Sequence, residues 1–134
     1  MLLLITERDP LVRRWLSSQS EGLGLTLRFV DGPAELWLAL SQQTPDCLVL
    51  EASSAASGAQ PLWETVRLHP AARQLPVLVY ASSQKWQAVA ERAGRSLDGY
   101  LPKPFTPATL LKAAGRARRQ RLVSRSVAAI SSAA

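Results

Sequence analysis

Two short segments of this chain consist of apolar and aromatic residues and show no polar face. "CLVL" covers residues 47–50 and "VLVYA" covers residues 77–81, and a proline lies one or two residues before each. A strand that is apolar on both faces is typical of a parallel sheet that helices cover on both sides. These segments therefore predict an α/β fold.

The rest of the chain alternates between strand and helix patterns. "MLLLIT", "LTLRFV" and "LDGYL" have strand patterns, and a helical pattern follows each of the predicted strands. Asp9 and Thr106 can cap helices whose first residues are Pro10 and Pro107. We expect a single (βα)5 doubly wound domain of the flavodoxin-like type, with a five-stranded parallel sheet and helices on both faces.

The net charge of +6 is confined to the end of the chain. Basic and acidic residues balance up to Leu111, and all later charged residues are basic. This distribution indicates a local basic helix end and tail rather than a basic globule. We expect one domain over residues 1–121, followed by a flexible tail, or the start of a linker, at residues 122–134.

Several classes of protein are excluded by composition. No apolar run approaches the ~20 residues that cross a bilayer, and the pattern at Met1 to Pro10 is not that expected of a signal peptide, so we expect a cytoplasmic protein that is not bound to a membrane. The single cysteine, Cys47, lies in a strand pattern and is read as a packed core thiol. His69 stands alone and is read as a loop residue, so no metal site is predicted.

Four segments resemble the receiver domain of two-component response regulators. They are "LLLITERDPLVRRWL" at the first strand and helix, "TPDCLVLE" at the third strand, "RQLPVLVYAS" at the fourth and "DGYLPKPFTPATLL" at the end. The last segment is the most specific, because the family's domain usually ends on a Lys-Pro pair, an aromatic residue and a capped helix. The resemblance covers about residues 1–121.

The resemblance implies a set of roles for residues at the carboxyl ends of the strands. In the family, two acidic residues after the first strand hold Mg²⁺, and an Asp ending the third strand accepts a phosphoryl group. A hydroxyl residue and a Lys contact the phosphoryl oxygens, and an aromatic residue on the fifth strand changes rotamer with the switch. The matching positions here are, in that order, Glu7 and Arg8 (followed by Asp9), Glu51, Ala81, Lys103 and Tyr100.

Arg8, Glu51 and Ala81 depart from the family's pattern. A guanidinium a few Å from a divalent cation costs on the order of a few kcal/mol, so we expect Mg²⁺ binding to be weak or absent and no other cofactor. Glu51 is one methylene longer than Asp and reaches into the space of a phosphoryl group. We predict a fixed ionic cluster of Glu51, Lys103 and Arg8, with Asp9 as the helix cap.

The predicted function is that of an atypical receiver, or pseudo-receiver, which is not an enzyme. It would act in signal transduction as a phosphorylation-independent module that binds a protein partner or forms a homodimer. In receivers such contacts commonly use the face of the fourth helix, fifth strand and fifth helix. The candidate residues on that face are Lys85, Trp86, Val89, Tyr100, Lys112 and Arg116.

Two alternatives remain open from the sequence. The chain could be a conventional phosphorelay receiver that is phosphorylated on another residue, such as Ser53 or Ser54. It could also be a regulator that binds nucleic acid through "GRARRQR", although no reader motif accompanies this segment and we expect only weak binding.

Overall fold

Five parallel strands form one sheet in this computed structural model, which describes residues 1–52 and 61–133 but not the side chains at 83, 84, 86, 95 and 124–133. The strand order is β2-β1-β3-β4-β5. The predicted parallel sheet is confirmed, and the predicted segments for β3 and β4 match the observed strands. The strands are β1 (Leu2–Ile5), β2 (Thr26–Phe29), β3 (Cys47–Glu51), β4 (Val77–Ala81) and β5 (Gly99–Pro102).

Helices connect the strands and cover both faces of the sheet. The Asp9 side chain accepts a hydrogen bond from the Leu11 amide at 2.9 Å, and the Thr106 hydroxyl accepts one from the Thr109 amide at 3.2 Å. The predicted caps are thus confirmed. The helices are α1 (Pro10–Gln19), α2 (Pro33–Gln42), α3 (Leu62–Leu68), α4 (Ser83–Ala93) and α5 (Pro107–Ala133), with a short 3-10 turn at Gly94–Ser96.

The core has two parts, one on each face of the sheet. Because side chains alternate along a strand, Cys47 and Val49 pack with α1 and α5, whereas Leu48 and Leu50 pack with α2, α3 and α4. Glu51 follows Val49 by two residues and therefore points toward the face that α1 and α5 cover. Its position is set by the alternation of β3.

Helix α5 is longer than the sequence predicts. The sequence indicates a tail or a linker from residue 122, but the helix continues to Ala133. The physical reason is that neither Gly nor Pro follows Gly115, so nothing in the later sequence breaks the helix. A linker role for this segment stays a prediction.

Asp98 joins three elements at the amino-terminal edge of the sheet. Its side chain is only 3% exposed and accepts from Arg67 of α3 at 2.7 Å and from Arg121 of α5 at 2.8 Å. The same carboxylate accepts from the Val77 amide at 2.8 Å. Asp98 therefore fixes α3 and α5 against the start of β4, at the edge of the sheet away from Glu51.

The strand order reverses between β1 and β3. In open parallel sheets, the crevice at the carboxyl ends of such strands is the usual binding site. Glu7 and Arg8 follow β1 and Glu51 ends β3, so this fold places the predicted site residues at that crevice.

Candidate functional site

Glu51 and Lys103 form an ion pair at the carboxyl edge of the sheet. Lys103 Nζ lies 2.8 Å from Glu51 Oε1, and the two side chains are 41% and 12% exposed. The backbone positions both ends of the pair, since the Glu51 amide donates to the buried Thr6 hydroxyl and the Lys103 amide donates to the Ala81 carbonyl. The pair thus lies at the carboxyl end of β3, where the resemblance places the phospho-acceptor.

Arg8 does not join this pair. Its side chain is exposed, and among the residues that the structure describes no salt bridge involves it. The predicted three-residue cluster is therefore wrong in this part. The reason is that Arg8 lies in the loop between β1 and α1, where it faces solvent while Glu7 faces inward.

Glu7 instead pairs with Tyr80, a residue that the sequence did not indicate. Glu7 is 8% exposed, and its Oε2 accepts a hydrogen bond of 2.5 Å from the Tyr80 hydroxyl. Its Oε1 accepts from the Asp9 amide at 3.2 Å. Tyr80 is also the register partner of Glu51 on the neighbouring strand, so its ring lies beside the acceptor position.

The Tyr80 ring is held from two further sides. Lys103 Nζ lies 5.2 Å from its centroid, and the Phe105 ring packs against it edge to face at 5.3 Å. A tyrosine inside an otherwise aliphatic strand was the available signal in the sequence. Its hydroxyl needs a hydrogen-bond partner when it is buried, and a carboxylate at a neighbouring strand end can supply one.

Burial of Tyr80 and Cys47 predicts a loss of stability at alkaline pH. Burial, and then the bond to Glu7, raise the pKa of Tyr80 above its usual range, and burial raises the pKa of Cys47 to about 12. The unfolded chain releases these protons at lower pH than the folded chain. The contribution of these groups to the free energy of unfolding is therefore complete below about pH 9 and falls above it, by up to about 1.4 kcal/mol per pH unit for each group.

Urea unfolding measured at intervals from about pH 8 to pH 11 checks this expectation. Tyr80→Phe should flatten the decline above about pH 10, and Cys47→Ala should flatten it from about pH 9. An identical decline in the wild-type protein and both variants would contradict the assignment.

The resemblance assigns the hydroxyl and switch positions to Ala81 and Tyr100. Ala81 is 1% exposed and has no side-chain oxygen with which to contact a phosphoryl group. Tyr100 is half-buried, and its hydroxyl lies 3.4 Å from the Ala81 carbonyl oxygen. The Tyr100 hydroxyl thus contacts the end of β4.

One of the residues predicted to lie on the interface face is buried. Lys85, Lys112 and Arg116 are exposed, but Val89 is buried in the core with α2, α3 and α4. Val89 is therefore wrong as an interface candidate, because its helical face turns toward the sheet. The Trp86 side chain lies outside the described residues, as do Ser53 and Ser54.

Part of the basic charge near the end of the domain is already paired. Arg121 pairs with the buried Asp98, and Arg118 lies 3.6 Å from Asp46. These contacts reduce the charge that is free to follow a nucleic-acid backbone.

The carboxylates at this edge of the sheet already have partners within the protein. Mg²⁺ needs oxygen ligands in near-octahedral geometry. Here Glu7 accepts from Tyr80 and the Asp9 amide, Asp9 caps α1, and Glu51 pairs with Lys103. Among the described residues, no group of three or more His, Cys, Asp and Glu side chains could hold a metal ion.

One curated relative supports the resemblance to signalling proteins. The DNA-binding transcriptional regulator NtrC of Bradyrhizobium sp. is 26% identical over 116 residues, which cover 86% of this chain and 24% of that protein. The chain thus spans about a quarter of that relative's length. No protein-family model matches the sequence.

Solved structures of receiver domains share the fold. A putative response regulator from Chloroflexus aurantiacus superposes with a TM-score of 0.71 at 26% identity, covering 90% of this chain and 97% of that one. The receiver domain of a sensor histidine kinase from Pseudomonas aeruginosa, with magnesium coordinated in its active site cleft, gives 0.71 at 19% identity over 87% and 96% of the two chains. A chemotaxis response regulator of Vibrio cholerae gives 0.66 at 20% over 87% and 97%.

The sheet order and these similarities show that the chain has the fold of response-regulator receiver domains and resembles them in sequence. Glu51, which the resemblance places at the acceptor position, forms an ion pair with Lys103. Across the described part of the chain, no helix combines the length and apolar character of a membrane span.

Proposed function

We propose that this receiver domain acts in signal transduction as a phosphorylation-independent module that binds a protein partner, and that it is not an enzyme. The observation that carries the proposal is the 2.8 Å ion pair between Glu51 and Lys103. In the family, that lysine contacts the phosphoryl group. Here Lys103 is already paired with the Glu51 carboxylate, so it is not available to a phosphoryl group.

The surroundings of Glu51 also favour this proposal. The buried methyl group of Ala81 replaces the hydroxyl that would contact a phosphoryl oxygen, and the Tyr80 ring lies on the neighbouring strand. A phosphoryl group is bulky and carries close to two negative charges at neutral pH, so it needs both space and cationic or hydrogen-bonding partners. These residues supply little of either.

We also propose that Mg²⁺ binds weakly or not at all. The carboxylates that would coordinate it already accept hydrogen bonds from Tyr80 and two backbone amides, and Arg8 adds a positive charge in the same loop. Phosphorylation in the family depends on that ion, so weak Mg²⁺ binding and loss of phosphorylation would have one cause.

The partner would bind the face formed by α4, β5 and α5. Lys85 of α4 and Lys112 and Arg116 of α5 are exposed there, which gives the face a positive charge. Such a face fits an acidic protein surface and disfavours a close approach of two copies unless each supplies acidic groups. A homodimer through this face remains the second form of the proposal.

Phosphorylation of the isolated chain is expected to be absent. After incubation with acetyl phosphate and MgCl₂, intact-mass spectrometry should show no species heavier by one phosphoryl group, because Glu51 is paired and the metal site is incomplete. A conventional receiver treated in parallel confirms that the reagents are active.

A matched variant sharpens the measurement. Arg8→Asp, Glu51→Asp and Ala81→Thr combined restore the family's residues at the altered positions, and any phosphorylation gained by this variant shows that these positions block the reaction. A stoichiometric acyl phosphate on the wild-type chain would overturn the proposal, and a phosphoserine would support the conventional alternative at Ser53 or Ser54.

A further inference from the structure

We propose that a cavity beside the acceptor position binds a small aromatic amine, with its ring between Trp15 and Phe105 and its protonated nitrogen at Glu7. The inference rests on the proposed function, because a domain that is not phosphorylated must be regulated by binding or by its abundance. It names the regulator as a small organic cation.

The cavity has the size and the walls of a small-molecule site. Its volume is about 630 Å³, within the range of roughly 300–1,000 Å³ that is usual for such sites. Val12, Trp15 and Leu16 of α1 form one wall, and Pro104 and Phe105 form the other. The Trp15 side of the cavity meets solvent, since this residue is 44% exposed. An aromatic ring would cover that indole.

The polar end of the cavity is anionic. Glu7 and Asp9 both line it, and among the described residues neither forms a salt bridge. The nearby Arg13 donates to the Glu7 backbone carbonyl and pairs with Asp31, so its guanidinium does not pair with the Glu7 carboxylate. The third charged residue, Lys103, is paired with Glu51. An occupant is therefore favoured if it carries a positive charge.

Glu7 can accept a further hydrogen bond. A carboxylate has about four acceptor positions, of which the Tyr80 hydroxyl and the Asp9 amide occupy two. The carboxylate is nine-tenths buried, and a charged hydrogen bond is stronger in such a place than in water. The aromatic walls add cation–π attraction for an amine near the rings. Apolar walls and two carboxylates thus fit an aromatic amine better than an inorganic cation or an organic acid.

Tryptamine is a suitable probe, and indole-3-acetate is its matched anionic counterpart. Titration of the full 134-residue chain, followed by ¹H–¹⁵N correlation spectra, should show tryptamine shifting signals at the start of α1 and around Phe105. Indole-3-acetate should bind at least about tenfold more weakly, because its carboxylate would face Glu7 and Asp9.

Variants locate the site. Glu7→Gln keeps an acceptor for the Tyr80 hydroxyl but removes the charge, and Trp15→Ala removes one wall; each should weaken tryptamine binding about tenfold or more. Glu21→Gln is the matched control, since this exposed residue lies outside the cavity lining, and it should leave binding unchanged. Dispersed spectra of each variant show that it is folded.

Absence of tryptamine binding at millimolar concentration, equal binding of the anionic probe, or equal binding by Glu7→Gln and Trp15→Ala would each overturn the inference. Acetyl phosphate treatment of the same samples separates the two proposals. If the chain is not phosphorylated and does not bind tryptamine, only the proposed amine site is contradicted. An acyl phosphate on the chain contradicts the proposed function.

Discussion

Asp98→Ala should lower the free energy of unfolding by about 3–5 kcal/mol, since removing one member of a buried ion network leaves the others without compensation. Arg67 and Arg121 would both lose their carboxylate, and the Val77 amide would lose its acceptor. Burial already lowers the pKa of Arg67, which shows that its charge is costly to hold there. Urea unfolding at neutral pH measures the loss.

The control is an exposed ion pair in the same protein. Asp31→Ala breaks the ion pair between Asp31, whose side chain is 57% exposed, and Arg13, whose side chain is 28% exposed. It should lower the free energy of unfolding by no more than about 1 kcal/mol. Asp98→Asn should fall between the two, because the amide keeps an acceptor for Val77 but loses the charge. Equal losses for Asp98→Ala and Asp31→Ala would show that the buried network contributes no more than a surface pair.

Trp63→Ala should have a comparable effect, a loss of about 3–5 kcal/mol. Trp63 lies in the first turn of α3, is fully buried, and belongs to the core between the sheet and α2, α3 and α4. Deleting its ring removes a large apolar area and leaves a cavity that the surrounding strands cannot fill. Chemical unfolding followed by circular dichroism measures this without relying on tryptophan fluorescence.

Trp63→Phe separates the contribution of ring packing to stability from the contribution of the indole nitrogen. Among the described residues, the buried Trp63 Nε1 has no hydrogen-bond partner, so replacing the indole by a phenyl ring loses apolar area but none of the described hydrogen bonds. We expect a cost of about 1–2 kcal/mol, well below that of Trp63→Ala. A larger loss of unfolding free energy for Trp63→Phe than for Trp63→Ala would contradict the packing of Trp63 in the core.

The Asp98 network also bears on how a signal could leave the domain. Arg121 lies on α5 where this helix passes the amino-terminal edge of the sheet, and the helix continues to Ala133. If α5 carries a partner or a further domain, the Asp98–Arg121 contact sets the direction in which the helix leaves. Asp98→Asn would then change partner binding more than Asp31→Ala does.

The pairing of Glu51 with Lys103 could be predicted because Glu51 ends β3 and Lys103 directly follows β5 of the same parallel sheet. The carboxyl ends of such strands meet at one edge, so opposite charges there are brought together by the fold alone. Arg8 shows the limit of this reasoning. Its place in the sequence is next to Glu7, but a loop residue has no fixed period, and the direction of its side chain depends on the packing around it.

Tyr80 and Val89 show the same limit for buried residues. Tyr80 lies in a run that predicts a fully buried strand, and its partner Glu7 is 73 positions away, so only the register of the sheet reveals the pair. Val89 lies between Ala88 and Ala90 in α4, and these small residues do not show from the pattern alone which face of the helix packs on the sheet.

By itself, the sequence determined the order of strands and helices, the capped helix starts and the parallel sheet, because apolar periodicity and capping act over a few neighbouring residues. The tertiary structure decided the contacts that define the site: Glu7 with Tyr80, Glu51 with Lys103 but not with Arg8, and the cavity that Trp15 and Phe105 line. These depend on strand register and helix position, which arise only when segments far apart in the chain pack against one another.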